Sequence, residues 1–177
     1  QVDDVPILEA TPAGLARTDA LRQKLLPVIP PAEWPIHAAY IDAINTLKRE
    51  RNALILAHNY QTPEIFHGVA DVTGDSLALA QSAVDADADI IVVCGVYFMA
   101  ETAKILNPDK EVYLPALEAG CSLADAITGN DVRKLKAKHP GLPVVSYINT
   151  TAEVKAESDV IVTSANASRI LRKLYEK

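Results

Sequence analysis

Five short polar groups carry most of the chemistry this chain offers: His58-Asn59-Tyr60, Gly74-Asp75-Ser76, Gly120-Cys121-Ser122, Tyr147-Ile148-Asn149 and Thr163-Ser164. Together they supply an imidazole, phenols, hydroxyls, carboxamides and a thiol, the donor set of a pocket for a polyoxygenated or carboxylated substrate. Cys121 is the most reactive of these types. It follows the apolar stretch EVYLPAL and the turn Glu118-Ala119-Gly120, and it precedes SLADAI, which reads as a short helix. A thiol at a helix start meets partial positive charge, which favours the thiolate that metals and electrophiles need. Taken singly, each residue has an ordinary explanation. Ser76 and Ser164 suit helix caps, His58 suits a loop carbonyl, Tyr147 suits a core with a wet hydroxyl, and a lone cysteine packs as a small hydrophobe.

What singles them out is their common position. Each group follows a predicted strand or opens a predicted helix, and open parallel sheets bind ligands beyond the carboxyl ends of their strands. The strands are short apolar runs at residues 53–57, 90–93, 112–114, 143–148 and 160–162. Helical patterns lie between them at about 63–70, 75–85, 98–106, 131–139, 152–157 and 167–175. Such alternation predicts an α/β fold, a three-layer αβα arrangement on a parallel sheet. Residues 1–35 read as an N-terminal arm (loose over 1–15) and a helix at about 15–26. Residues 36–120, opened by a helix over 36–49, read as a complete αβα domain, and 121–177 as part of a second, similar one. A partial domain predicts exposed apolar surface, or self-association, near residues 160–174.

Composition narrows the functional classes. The net charge of −6 over 177 residues disfavours nucleic acid and anionic membranes as partners. Two cysteines make no disulfide framework and suit a reducing compartment, and no apolar run approaches a membrane span, so the expected location is the cytoplasm. There is no GxGxxG, no GxxxxGK[ST], no GxSxG, no HExxH and no CxxC. Glu101 reads as a solvated helix residue.

Six segments in order, AHNYQTPEI, GDS, VVCGVYFMAETAKILNPDK, LPALEAGCSL, VVSYINTTAEVKA and VIVTSANA, resemble the quinolinate synthase family over about residues 40–170. The resemblance implies a transferase of NAD biosynthesis that condenses iminoaspartate with dihydroxyacetone phosphate to quinolinate, losing phosphate and water. It implies a 4Fe–4S cluster on three cysteines, with one iron open as a Lewis acid, and a functional link to L-aspartate oxidase. Residue by residue, Cys121 matches the first cluster cysteine. His58, Ser76, Asn149 and Ser164 match substrate-binding residues, and Tyr60 and Tyr147 match catalytic or substrate-contacting tyrosines. Cys94 matches no ligand and is assigned to packing. The family's two further cluster cysteines and third αβα domain have no counterpart in these residues, so the expectation is that this chain alone is inactive. Two other readings of the same residues are a non-catalytic module binding a dicarboxylate or triose phosphate, and a Cys121 nucleophile with His58 as base.

Overall fold

The computed structural model describes residues 5–176, and its centre is strand β1 (Ala53–His58). Ile55, Leu56 and Ala57 are each at most 5% exposed, so both faces of this strand are covered. β1 pairs in parallel with β2 (Val72–Gly74) and β3 (Ile90–Cys94), and β3 with β4 (Glu111–Tyr113), giving the order β2-β1-β3-β4. His58 stands opposite Gly74, and Ala57 opposite Cys94.

Alternation along β1 and β3 divides the core in two. Leu56, Ile91 and Val93 pack under α4 (Ser76–Val84) and α5 (Tyr97–Leu106), against Leu79, Phe98 and Met99. Ile55, Val92 and Cys94 face the opposite layer of α1 (Pro12–Leu25), α2 (Trp34–Glu50) and α3 (Pro63–Gly68), against Leu25, Trp34 and Ile41. Helices on both faces of a parallel sheet make the αβα sandwich that the alternation predicts. Beside α2 the second layer stops short. It leaves an open apolar groove of about 600 Å³ over Ile90, Val92 and the half-exposed Tyr113.

A second, two-stranded parallel sheet joins β5 (Val145–Tyr147) to β6 (Val160–Val162), accompanied by α6 (Gly129–Lys138), α7 (Ala152–Ala156) and α8 (Ala167–Tyr175). In the region where exposed apolar surface is expected, Leu171 is 38% exposed, whereas Val162 is buried. α5 ties the two sheets together. The Glu101 carboxylate accepts the backbone N–H of Ala152 at 2.9 Å, capping α7, so Glu101 is not the solvated helix residue expected from its pattern.

The structure corrects other boundaries. α1 starts at Pro12, inside the segment read as a loose arm, because the Thr11 hydroxyl accepts the Gly14 N–H at 3.0 Å. The arm is also tethered, since the Tyr40 hydroxyl donates to the Pro6 carbonyl at 3.1 Å. Residues 1–4 of that arm lie outside the described residues. β2 has no counterpart in the sequence reading. It is a three-residue edge strand without an apolar run, and the helical segment that the pattern extends to residue 70 ends before it, at Gly68. After Cys121 there is only a single 3₁₀ turn, Ala124–Ala126. A thiol there does not sit at the positive end of an α-helix, and that part of the argument for Cys121 falls.

Candidate active site

Because all four strands of the first sheet are parallel, the segments that leave their carboxyl ends meet along one edge. β1 delivers His58 and Tyr60, and β2 delivers Asp75 and Ser76. The segment after β3 delivers Phe98 and Met99, and the one after β4 delivers Gly120 and Cys121. β5 and β6 of the second sheet bring Tyr147, Asn149, Thr163 and Ser164 to the same place. Two adjoining cavities result. One, about 310 Å³, is lined by Tyr60, Cys121, Phe98 and Met99. The other, about 200 Å³, is lined by Tyr147, Thr163 and Ser164. His58, Ser76 and Asn149 line both. All seven site residues chosen from the sequence therefore meet here, though they come from stretches up to about a hundred residues apart.

The start of α4 shows how local folding frees a hydroxyl for this site. Asp75, not Ser76, is the N-cap; its carboxylate accepts the N–H groups of Leu77 at 3.0 Å and Ala78 at 2.9 Å. Ser76 then occupies the first helical position and faces both cavities. The same cap uses up those first-turn amides, so an anion bound here meets an acidic side chain rather than a free helix start.

His58 lines both cavities and keeps one ring nitrogen without a partner. Its Nδ1 is buried and has no protein partner, and its ring lies 4.0 Å from that of Tyr60, tilted by 34°. Burial pushes the imidazole pKa below its usual 6.5, against a weaker upward pull from Asp75. Near neutral pH the ring is uncharged and can accept or donate one hydrogen bond. The Tyr60 phenol is pushed upward, first by burial and then by the neighbouring Cys121, against a backbone N–H at Val96. It remains a neutral donor. Its hydroxyl rests 3.8 Å from the Met99 sulfur. Met99 in turn crowds Gly95, where a Cβ would stand 2.7 Å from that sulfur, so a larger residue there would push the flexible Met99 side chain aside.

Asn149 stands on a turn whose neighbours are fixed. Ile148 and Thr150 are 5% and 6% exposed, and the Thr150 hydroxyl donates to the Tyr147 carbonyl at 2.9 Å. Thr163, which the sequence marks only as part of a strand-end polar group and gives no role, is also a site residue. Its hydroxyl is buried without a partner at the 200 Å³ cavity, while its N–H bonds to the Asn166 side chain at 2.8 Å. Its place beside Ser164 at a strand end was the available signal. Phe98 and Met99, which wall the larger cavity, read in sequence as ordinary helix core.

The two thiols part company. Cys94 lies on the opposite face of the sheet, packed with Ile55, and burial raises its pKa. Cys121 is partly buried at the larger cavity. Among the described residues no group of three or more histidine, cysteine, aspartate or glutamate side chains is placed to hold a metal ion.

Comparison with known proteins gives a consistent result. A family model described as quinolinate synthetase A protein matches residues 42–177. Quinolinate synthase 2 of Mesorhizobium japonicum is 65% identical over 147 residues, which is 83% of this chain and 45% of that protein. Quinolinate synthase of Sinorhizobium medicae is 56% identical over 173 residues, 98% of this chain and 48% of that protein. That of Caulobacter vibrioides is 56% identical over 161 residues, 91% and 44% respectively. The chain spans about half the length of the curated relatives it matches.

Proposed function

The chain belongs to the quinolinate synthase family, and from that membership we propose that its two adjoining cavities form the substrate site of a condensation between iminoaspartate and dihydroxyacetone phosphate that yields quinolinate. One observation carries the reading: the seven residues matched to the family's site line cavities that share His58, Ser76 and Asn149. Their chemistry suits the task. Condensing an imine-bearing dicarboxylate with a triose phosphate requires many oxygens to be held at once and protons to move between neutral donors and acceptors. The Asn149 carboxamide and the Ser76 and Ser164 hydroxyls bind oxygens. His58, neutral with a free Nδ1, relays a proton at that atom. Tyr60 holds its phenolic proton, and the Tyr60 and Tyr147 hydroxyls orient the chain of the substrate.

Among the described residues, no lysine or arginine lines either cavity. Neutral hydrogen bonds alone bind two anionic substrates weakly, so the reading assigns the missing positive charge to a group bound at Cys121 and to polypeptide beyond the described residues. A 4Fe–4S cluster supplies Lewis acidity at an open iron. The described residues offer it a single thiol, Cys121, and do not fit a cluster by themselves. In this proposal Cys121 is one of three ligands, the rest lie elsewhere in the complete protein, and residues 5–176 are inactive alone. The reading also places the protein in the cytoplasm, drawing its imine from an amino-acid-oxidising enzyme of the L-aspartate oxidase kind, without nucleic-acid or membrane partners. No described helix is long and apolar enough to cross a membrane.

The test is quinolinate formation by the complete gene product, purified without oxygen and supplied with dihydroxyacetone phosphate and freshly generated iminoaspartate. Formation that drops at least tenfold in Tyr147→Phe and His58→Ala variants supports the site. No formation by wild-type protein carrying its metal rejects it.

A further inference from the structure

We propose that Lys155 is a positioning residue for the quinolinate-forming reaction: its ammonium ties together the backbone on both sides of Asn149 and so holds that carboxamide at the junction of the two cavities. The inference rests on the functional reading above and adds to it a residue that touches neither cavity. Lys155 Nζ donates to the carbonyl of Ile148 at 3.0 Å and also to the carbonyl of Thr150. These are the residues immediately before and after Asn149, and each is at least nine-tenths buried. A cation bonded to both carbonyls leaves the residue between them little freedom to rotate its backbone, and the side chain direction follows the backbone.

The lysine is itself held in place from the other sheet. Its Nζ lies 5.4 Å from the centroid of the Phe98 ring, which is 2% exposed and walls the Cys121 cavity. Glu101, one turn along α5 from Phe98, bonds the start of α7 and presents its negative charge to Lys155. Phe98 and Glu101 on α5 thus seat Lys155 on α7, and Lys155 sets the turn that carries Asn149. Nothing else in the described structure bridges the two carbonyls. Thr150 N–H bonds to Ile148 O at 2.8 Å and Ile148 N–H to Val162 O at 2.9 Å, which close the turn and tie its first residue to β6, whereas only Lys155 joins the carbonyls on both sides of Asn149.

A lysine that only stabilised the fold would act equally with or without the Asn149 side chain. Positioning predicts dependence on it, which a double-mutant cycle reads. In the complete gene product, Lys155→Met keeps the aliphatic stem and removes the donors. It is expected to raise the substrate KM about tenfold, the scale of one well-held hydrogen bond. Asn149→Ala is expected to raise it by at least as much, and the double variant no further than Asn149→Ala alone. If Lys155→Met yields no soluble protein, Lys155→Gln, which keeps one donor, is read in the same cycle. Additive losses, or an Asn149→Ala variant with unchanged KM and lowered kcat, overturn the clamp while leaving the function intact. Wild-type protein that makes no quinolinate rejects the functional reading first and the clamp with it.

Discussion

The imidazole of His58 lies 4.0 Å from the phenol ring of Tyr60, with its Nδ1 buried and unpartnered. Two residues apart at the end of one strand, the pair places a neutral base and a neutral donor at one cavity mouth. Burial keeps the histidine pKa below 6.5, and this fixes the sign of the pH response. A depressed value means the folded state resists protonation. The stability it contributes is complete above the unfolded value near 6.5 and is lost as pH falls below that value. Activity that depends on the neutral ring is expected to hold through neutral pH and to fall on the acid side of 6.5, as read from kcat/KM. An acid limb above 6.5 would contradict this assignment.

Asp75 has two roles that substitution separates. Asp75→Ala removes both bonds to the α4 amides and is expected to cost about 1 kcal/mol of stability, measured by denaturant unfolding. Asp75→Asn keeps an oxygen for the cap and removes the charge beside His58. It is expected to leave stability nearly unchanged and to lower the His58 pKa further, measured by NMR of the imidazole, because Asp75 pulls that value upward.

Lys155 gives an alkaline response. Burial brings its pKa from 10.5 down to about 8, against an upward pull from Glu101. The folded state therefore disfavours the charged form; that penalty is fully present below about pH 8 and is relieved between about 8 and 10.5. The clamp on Ile148 and Thr150 weakens as pH rises through about 8, because an uncharged amine is the poorer donor. Substrate KM is expected to rise above about pH 8 in wild-type protein, and that limb is expected to be absent in Lys155→Met.

Cys94 and Cys121 face different surroundings, and metal loading distinguishes them. Anaerobic reconstitution of the complete protein with iron and sulfide is expected to give a 4Fe–4S absorption spectrum in wild type and in Cys94→Ala. The same spectrum is expected to be lost in Cys121→Ser. Equal loading of Cys121→Ser and wild type would remove Cys121 from the ligand set.

Much of this architecture was legible in the residues. β1 up to Ala57 and β3 are apolar runs that leave no polar position on their two covered faces, and Pro63, Asn107-Pro108 and Pro140-Gly141 mark where α3 starts and where α5 and α6 end. The strand-end groups were legible for the same reason, since parallel strands bring their carboxyl ends together. Other features depend on tertiary context. β2 is three residues long and pairs only because β1 offers an open edge at Leu56 to His58. The turn after Cys121 has a helix-like composition, yet its hydrogen bonds stop after one 3₁₀ turn. Glu101 reads as a solvated helix position, and nothing in sequence marks Lys155, until α5 and α7 are brought side by side. The unpaired hydroxyl of Thr163 is visible only once the second sheet closes against the first.

The central claim is that the cavities sharing His58, Ser76 and Asn149 turn over the substrates of quinolinate synthesis. It is tested most directly by the rate of quinolinate formation in anaerobically purified complete protein, comparing wild type with Asn149→Ala at matched folded and iron content. The account predicts that wild type forms quinolinate and that Asn149→Ala loses at least tenfold in kcat/KM, about 1.4 kcal/mol or more of transition-state stabilisation. An Asn149→Ala protein as fast as wild type would contradict it.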